Sequence, residues 1–216
     1  MLDFILDLIY PPVCGLCGKL STQWLCPKCA VKLKKQAVFY VDDYSKKPGR
    51  YYDEHLYIFT YEGAIRTAIL NYKFYEKAYL YKTFVKFLLK NKKFVEIIKS
   101  YDIIVPVPLS KERKRTRGYN QSSLIAREIS KKMDIECNQR VLKKSQNIVA
   151  QSTLNKEERE KNIQGAYMLI KPQYLQSKRV LIIDDIYTTG STVNECSKEI
   201  LKAKPKKIGV LTIAKD

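Results

Sequence analysis

The sequence predicts an α/β protein built on a mostly parallel sheet with helices on both faces. Short, continuously apolar segments alternate with longer segments in which apolar residues recur at helical spacing. Strands that are apolar on both sides are typical of a sheet covered by helices on each face. With 216 residues, 45% of them hydrophobic, the chain is long enough to bury such a core, which excludes a wholly disordered protein.

The strands are predicted from the continuous apolar runs, which are too short to be buried helices. They lie at 56–61, 101–108, 178–184 and 208–213, with a weaker candidate at 137–142. Pro106 and Pro108 give the second strand a rigid exit, as prolines do at strand ends. Helical spacing predicts the intervening helices at 63–72, 79–90, 120–132 and about 192–202.

Two further segments are predicted from their polar residues. Residues 2–9 alternate apolar side chains with Asp3 and Asp7, which indicates a short amphipathic helix ending before two prolines. The polar stretch 144–164 has no sustained apolar period, so we expect a long loop there. Long loops inside a compact domain are usually functional.

The chain is strongly basic, with 40 Lys and Arg against 22 Asp and Glu and a formal net charge of +18. This balance favours a polyanionic partner such as nucleic acid, although a generally lysine-rich composition accounts for it equally well. No apolar run reaches the roughly 18 residues of a membrane span. The start also lacks the basic region and cleavage site of a signal peptide. We therefore expect a cytoplasmic protein without a membrane span.

Two Cys-x-x-Cys pairs predict a structural zinc site, because four thiolates satisfy tetrahedral zinc and leave no position for water. The four ligands are Cys14, Cys17, Cys26 and Cys29. Disulfides, a redox pair or an iron–sulfur cluster would use the same residues, but a doubled pair in a cytoplasmic chain favours zinc. We divide the chain into a zinc-binding module at 1–45, including the N-terminal helix, and a larger domain at 50–216.

The segment VLIIDDIYTTGST, residues 180–192, carries the second motif. Asp184 and Asp185 follow an apolar strand, and a loop of small residues then leads into a helix. Backbone N–H groups and the dipole at a helix N-terminus favour an anion, so we interpret this loop as a phosphate cradle. It consists of Thr188, Thr189, Gly190, Ser191 and Thr192. The adjacent carboxylates suit vicinal hydroxyls, so the pattern predicts a ribose 5-phosphate at the carboxyl edge of the sheet.

Adjacent acids after an apolar strand also occur as magnesium ligands in nucleotide triphosphatases and in receiver domains. A nucleotide triphosphatase needs the GxxxxGK[ST] loop, which the sequence does not contain, and a receiver domain has no such cradle. A purely structural role for the two aspartates stays open. His55 is the single histidine, which excludes histidine triads and histidine metal sites, and we expect it at the surface or a strand edge.

The loop sequence resembles the binding loop of type I phosphoribosyltransferases for 5-phosphoribosyl 1-pyrophosphate (PRPP). The Cys pairs and the segment PVPLSKERKRTRGYNQ at 106–121 extend this resemblance to the ComF family of competence-associated proteins. Spaced residues further along agree with the same family: Gln151, Leu154, Arg159, Asn162, Gly165, Ala166 and Tyr167. The departures are small: Tyr119 and Tyr167 replace a common Phe, and Ser145 replaces the usual Thr.

The resemblance implies a type I phosphoribosyltransferase-like core of five parallel strands flanked by helices. Asp184 and Asp185 would hold the ribose hydroxyls as the catalytic pair, and residues 188–192 the 5-phosphate. Val107, in the loop from Val105 to Leu109, and Arg117 would lie on the pyrophosphate side. Mg²⁺ would accompany PRPP, and residues 144–164 would form a flap over it.

The resemblance also implies an enzyme, a phosphoribosyltransferase of unidentified acceptor, that acts in DNA uptake and handles single-stranded DNA in the cytoplasm. Competence or recombination proteins would be its partners. Two alternatives stay open: an inactive adaptor that binds single-stranded DNA and keeps the PRPP loop as a sensor or relic, and a metabolic enzyme acting on a nucleobase.

Rings and ammonium groups interleave in residues 72–82, which suits contact with single-stranded DNA. The spacing of Tyr72, Tyr75 and Tyr79 predicts a core-facing stripe of a helix instead, and both interpretations stay open.

Overall fold

The computed structural model describes residues 13–145 and 165–216, which contain a six-stranded sheet and a separate two-stranded ribbon. The sheet consists of β1 (Ala37–Asp43), β2 (Glu54–Thr60), β3 (Ile103–Pro106), β4 (Glu136–Cys137), β7 (Arg179–Tyr187) and β8 (Lys207–Lys215). The ribbon pairs β5 (Leu142–Lys144) with β6 (Tyr167–Leu169). The helices are α1 (Pro27–Gln36), α2 (Gly63–Phe74), α3 (Leu80–Leu88), α4 (Lys92–Lys99), α5 (Lys111–Arg117), α6 (Gln121–Met133) and α7 (Ser191–Leu201), with a 3₁₀ turn at Pro172–Tyr174.

The sheet is parallel apart from its first strand. The order is β1-β2-β8-β7-β3-β4, and only β1 runs antiparallel to its neighbour. The five parallel strands confirm the predicted fold class. They place the carboxyl ends of β3 and β7 side by side, because Pro106 pairs with Ile183.

Side chains of the central strands alternate between two apolar clusters, as the pleat requires. In β7, Leu181 and Ile183 join the cluster covered by α2, α3, α4 and α6, whereas Val180 and Ile182 join the cluster covered by α7. All four are completely buried. Apolar residues at successive positions therefore reflect a sheet covered on both faces, which is why the sequence showed a continuous run.

The cysteine segment packs on the first of these faces. Leu25 and Leu33 are buried in the same apolar cluster as the sheet, and β1 follows α1 directly and pairs with β2. The predicted division at residue 45 therefore falls after the first strand of the sheet. The division remains a prediction, while the structure gives the two parts one shared core.

Several local predictions are wrong. Residues 111–117, where no helix was predicted, form α5, whose first turn is capped because the Ser110 hydroxyl accepts from the Arg113 amide. The tyrosine stripe ends early: α2 stops at Phe74, so Tyr72 is buried but Tyr75 is 66% exposed. Strand β1 and helix α4 were not predicted. Helix α4 does have an apolar face, with Phe94 and Ile98 buried, but it is only eight residues long.

Some predictions lie outside the described residues. These are the N-terminal amphipathic helix and all but the first two residues of the loop predicted at 144–164. Among the helices that the structure does describe, none combines the length and the apolar character needed to cross a membrane.

Candidate functional site

The four predicted zinc ligands converge on one point. Their sulfur atoms all lie within 4.8 Å of one another, and Cys17 Sγ is 3.9 Å from Cys26 Sγ. Zinc–sulfur bonds of about 2.3 Å place the sulfurs of a tetrahedral site about 3.8 Å apart, so these thiols fit zinc. Four thiolates complete the coordination, and the ion would supply structure rather than catalysis.

Local backbone turns bring the thiols together. Gly18 donates its amide to the carbonyl of Cys14 at 2.9 Å and adopts φ +73, a left-handed conformation that favours glycine. The second pair opens α1, where the Ala30 amide donates to the carbonyl of Cys26 at 2.9 Å. Each pair thus turns tightly enough for two sulfurs to face one ion.

The cysteine segment is fixed to the rest of the protein by polar and apolar contacts. The Asn71 side chain donates from Nδ2 to the carbonyl of Gly15 at 2.8 Å, and the Tyr79 hydroxyl donates to the carbonyl of Val13 at 3.1 Å. A side chain at Gly15 would clash with Leu80, since a Cβ there would lie 2.5 Å from Leu80 Cδ2. The metal site and helices α2 and α3 therefore support each other.

The two predicted aspartates lie near the end of β7, between buried Ile183 and Tyr187. In Asp184, Oδ1 accepts hydrogen bonds from the Ser122 hydroxyl at 2.8 Å and from the Asp185 amide at 2.9 Å. In Asp185, Oδ1 contacts the Lys73 ammonium at 2.9 Å. Within the described residues, neither Oδ2 has a partner, which leaves one acceptor oxygen on each acid for a ligand.

The environment of this acidic pair favours one proton on Asp184. Burial, followed by the negative charge of Asp185, raises the pKa of Asp184 to about 7, against the opposing effects of Lys73 and Ser122. Two adjacent carboxyls rarely ionise together without a cation. The pair thus combines a donor or acceptor at Asp184 with an acceptor at Asp185 that is paired with the Lys73 ammonium, a combination suited to hydroxyl groups.

The predicted phosphate loop connects β7 to α7. Gly190 caps the helix with φ +76, and the hydroxyls of Thr189 and Ser191 lie 2.6 Å apart. The amides of Thr188, Thr189 and Gly190 have no acceptor in the parts of the chain that the structure describes. Amides without an acceptor just before an eleven-residue helix are groups that can bind an anion. The phosphate site itself remains a prediction.

The two residues predicted on the pyrophosphate side are both near the acidic pair but differ in what they offer. The Val107 amide donates to the carbonyl of Ile183 at 2.9 Å, so it is already used within the sheet edge. Arg117 packs its guanidinium over the Phe74 ring, 4.8 Å from the ring centroid, and donates to Gln121 Oε1 at 3.3 Å. Arg117 therefore supplies a fixed positive charge beside the aspartates.

The connection between β1 and β2 braces the phosphate loop. Arg50 Nη2 donates to the carbonyl of Thr189 at 3.2 Å. The Asn194 side chain accepts from the Tyr51 amide at 3.0 Å and donates to the carbonyl of Gly49 at 2.9 Å. Residues of this connection thus hold the loop and the first turn of α7.

Sequence reasoning missed three residues around the aspartates: Lys73, Ser122 and Lys144. Lys144 lies at the end of β5 with its ammonium 5.3 Å from the centroid of the Tyr167 ring, and burial lowers its pKa. Ser122 follows the recognised segment 106–121 by one position, so the motif's edge was a usable signal. Lys73 gave no signal of this role. The sequence placed it in the segment 72–82, which was interpreted as a contact for DNA or as part of a core-facing stripe.

His55 is completely buried, so the predicted surface or strand-edge position is wrong. Its ring stacks on Tyr57 and Tyr187, with ring centroids 5.2 and 4.2 Å away. Its Nε2 lies 2.8 Å from the Thr212 hydroxyl, which itself donates to the carbonyl of Ala214. The hydroxyl therefore accepts from Nε2–H, and Nδ1 has no partner within the described residues.

This histidine is expected to make the protein less stable in mild acid. Burial, with a smaller contribution from the charge of Lys215, lowers the pKa of His55 to about 3. An unfolded histidine takes up a proton below about pH 6.5. The free energy of unfolding should therefore fall as the pH drops from 6.5 towards 3, by up to about 1.4 kcal/mol per pH unit. Urea denaturation at pH 7 and pH 5 measures this loss.

The matched variant His55→Asn keeps a polar side chain without the titration. Between pH 7 and pH 5 it should lose about 2 kcal/mol less than the wild type. The comparison cancels any effect of acid on the cysteines, which both proteins share. Equal losses in the two proteins would contradict the assignment of a neutral, buried imidazole.

Comparison with known proteins agrees with this architecture. The family described as "Phosphoribosyl transferase domain" matches residues 120–216, which include the aspartates and the phosphate loop. Competence protein F of Haemophilus influenzae is 28% identical over 208 residues, which cover 94% of this chain and 85% of that protein. Competence protein ComFC of Streptococcus pneumoniae is 32% identical over 164 residues, covering 74% and 68%. DNA utilization protein YhgH of Escherichia coli is 33% identical over 101 residues, covering 47% and 44%.

Fold and matched segment together define a protein with a phosphoribosyltransferase domain. The similarity to the competence proteins extends beyond that domain and includes most of the chain. The chain belongs to the ComF family of competence proteins.

Proposed function

We propose that this protein binds Mg·PRPP at the carboxyl edge of β7. Asp184 and Asp185 accept hydrogen bonds from the ribose hydroxyls, and the loop at 188–192 holds the 5-phosphate. One observation carries the proposal: among the described residues, the Oδ2 atoms of both carboxyls have no partner, and the amides of Thr188, Thr189 and Gly190, which follow directly, have no acceptor. PRPP carries a ribose diol, which suits the aspartates, and a 5-phosphate, which suits the loop that follows them.

The chemistry proposed for this site is displacement of pyrophosphate from the ribose C1 by an acceptor that is not identified, which forms the new bond to C1. Bound Mg²⁺ would neutralise charge on the diphosphate, and that ion prefers oxygen ligands and keeps several waters. Arg117 and Lys73 place positive charge beside the acids, where negative charge accumulates on the leaving group. The carboxylates of the pair orient the sugar and stabilise positive charge as it develops on the ring.

We further propose a role in DNA uptake, with handling of incoming single-stranded DNA in the cytoplasm. The names of the relatives, two competence proteins and a DNA utilization protein, support this role. The net charge of +18 supports a nucleic-acid partner, because lysines and arginines that neutralise phosphates release bound counterions. Within residues 72–82, the exposed ring of Tyr75 contributes to this surface. Competence or recombination proteins are the proposed protein partners.

Substitution of either aspartate tests the PRPP site. Asp184→Asn and Asp185→Asn should each weaken Mg·PRPP binding at least about tenfold, or about 1.4 kcal/mol, because each replaces a carboxyl oxygen at the diol site with an NH₂ group, which cannot accept a hydrogen bond. Isothermal titration calorimetry measures the affinity, and Glu96→Gln, which neutralises an exposed carboxylate on α4, is the control. Failure of the wild-type protein to bind Mg·PRPP would contradict the proposal.

Release of pyrophosphate distinguishes the enzyme from the adaptor. An enzyme should release pyrophosphate from PRPP, and both aspartate variants should abolish the release. An adaptor should bind PRPP without turnover and bind a single-stranded oligonucleotide with an affinity that falls steeply as salt rises. A metabolic enzyme should turn over PRPP with a nucleobase and show no salt-sensitive DNA binding.

A further inference from the structure

Lys73 brings a cation into the acidic pair from a distant part of the sequence. Its Nζ lies 2.9 Å from Asp185 Oδ1, and the side chains of Lys73 and Asp185 are only 17% and 11% exposed. An ion pair so protected from water is screened less than a surface pair. The Lys73 ammonium therefore partly neutralises the negative charge of the acidic pair.

The position of Lys73 is fixed by its neighbours. The buried Tyr72 hydroxyl donates to the carbonyl of Gln121 at 2.8 Å, and the Tyr119 hydroxyl donates to the carbonyl of Tyr72. These bonds tie the last turn of α2 to the start of α6, whose Ser122 contacts Asp184. Lys73 is thus anchored to the same element that holds the other aspartate.

The charge of Lys73 changes which ligands the acidic pair favours. Two neighbouring carboxylates alone attract a hard divalent cation, because carboxylate oxygens are the ligands that Mg²⁺ and Mn²⁺ prefer. An ammonium on Asp185 Oδ1 occupies one of these oxygens and repels a second cation. The Oδ2 atom of Asp185 can still accept a hydrogen bond from a neutral hydroxyl.

We propose that Lys73 is a positioning residue that makes the acidic pair a receptor for a sugar diol and prevents it from binding a bare divalent cation. The inference rests on the proposed binding of PRPP, which supplies the diol. A divalent ion would then enter the site only together with PRPP, bound to its diphosphate. The Lys73 ammonium attracts the negative charge of that diphosphate. Loss of Lys73 should consequently have opposite effects on the bare cation and on PRPP.

The test measures two affinities in the full-length protein: Mn²⁺ alone, by electron paramagnetic resonance, and Mg·PRPP, by calorimetry. Lys73→Met should bind Mn²⁺ at least about tenfold more tightly and Mg·PRPP at least about tenfold more weakly than the wild type. Lys73→Arg keeps the charge and should resemble the wild type in both. Lys86→Met removes an exposed ammonium on α3 and should change neither.

The outcomes separate this inference from the proposed function. If the wild type binds Mg·PRPP but Lys73→Met gains no Mn²⁺ affinity, the inference is wrong and the proposed function stands. If the wild type does not bind Mg·PRPP, the proposed function fails and the diol receptor fails with it, whatever the Mn²⁺ result. Weaker binding of both ligands would reveal a merely structural role and would also overturn it. Lys73→Gln repeats the test if the methionine variant does not fold.

Discussion

Removal of the metal from the cysteine site is expected to unfold the protein. Zinc binding supplies on the order of 10–16 kcal/mol of apparent folding free energy in small cysteine modules. A typical domain is stable by only about 5–15 kcal/mol. Because Cys14, Cys29 and Leu33 pack in the same apolar cluster as the sheet, unfolding of this segment exposes one face of that sheet. The loss should therefore spread beyond the first 45 residues.

A single substitution isolates the contribution of the metal. Cys17 is exposed, so Cys17→Ser removes a zinc ligand and almost no apolar packing. The variant should contain less than one zinc per chain and should melt at a much lower temperature, as the wild type should after chelation. Metal analysis by mass spectrometry and thermal melting followed by circular dichroism measure both quantities.

Cys137→Ser is the matched control for this experiment. Cys137 is partly buried at the end of β4 and is not one of the four cysteines whose sulfur atoms lie within 4.8 Å of one another. Its replacement should leave the zinc content at one per chain. Wild-type protein that contains no zinc, or that keeps its fold after chelation, would contradict the structural metal site.

The substitution Gly190→Ala is expected to disrupt the phosphate loop. A Cβ at this position would lie 2.3 Å from the hydroxyl oxygen of Tyr187, far inside a normal contact. Tyr187 cannot move aside easily, since it is 4% exposed, hydrogen-bonded to the Tyr52 hydroxyl at 2.8 Å and stacked on His55. The left-handed backbone at φ +76 adds about 1–2 kcal/mol for any other residue.

Together these effects should lower the free energy of unfolding by about 2–5 kcal/mol. Any shift of the loop that removes the clash also moves the loop amides out of position. Mg·PRPP binding should therefore fall below detection. Denaturation in urea and calorimetric titration measure the two effects. A variant that binds Mg·PRPP like the wild type would contradict the assignment of this loop as the phosphate site.

Gly49→Ala separates the clash from the backbone strain. Gly49 has the same φ of +76, and a Cβ there would meet nothing within 4 Å. The control should cost only about 1–2 kcal/mol and should preserve ligand binding. A loss in Gly49→Ala equal to that in Gly190→Ala would mean that packing against Tyr187 contributes nothing.

Much of the fold was predictable because the signals are local. The apolar runs of β7 and β8 are buried on both faces, so their composition alone indicates a covered parallel sheet. Strand β1 gave no such signal, because its pattern of exposure is irregular and its partner β2 lies beyond a turn-rich connection. Helix α5 was missed because it buries none of its residues, and a helix without an apolar face has no periodic pattern to detect.

The sequence by itself determined the two cysteine pairs, the alternation of the main strands and helices, and the aspartates followed by a loop of small residues. These features depend on spacing along a short piece of chain, where the backbone alone keeps the groups together. Only the tertiary structure decided that Lys73 pairs with Asp185, that Ser122 contacts Asp184, and that His55 is buried under Tyr187. Each of these contacts joins residues from separate parts of the sequence, which the sheet and its crossover helices bring together. The spacing of residues along the chain cannot predict such contacts.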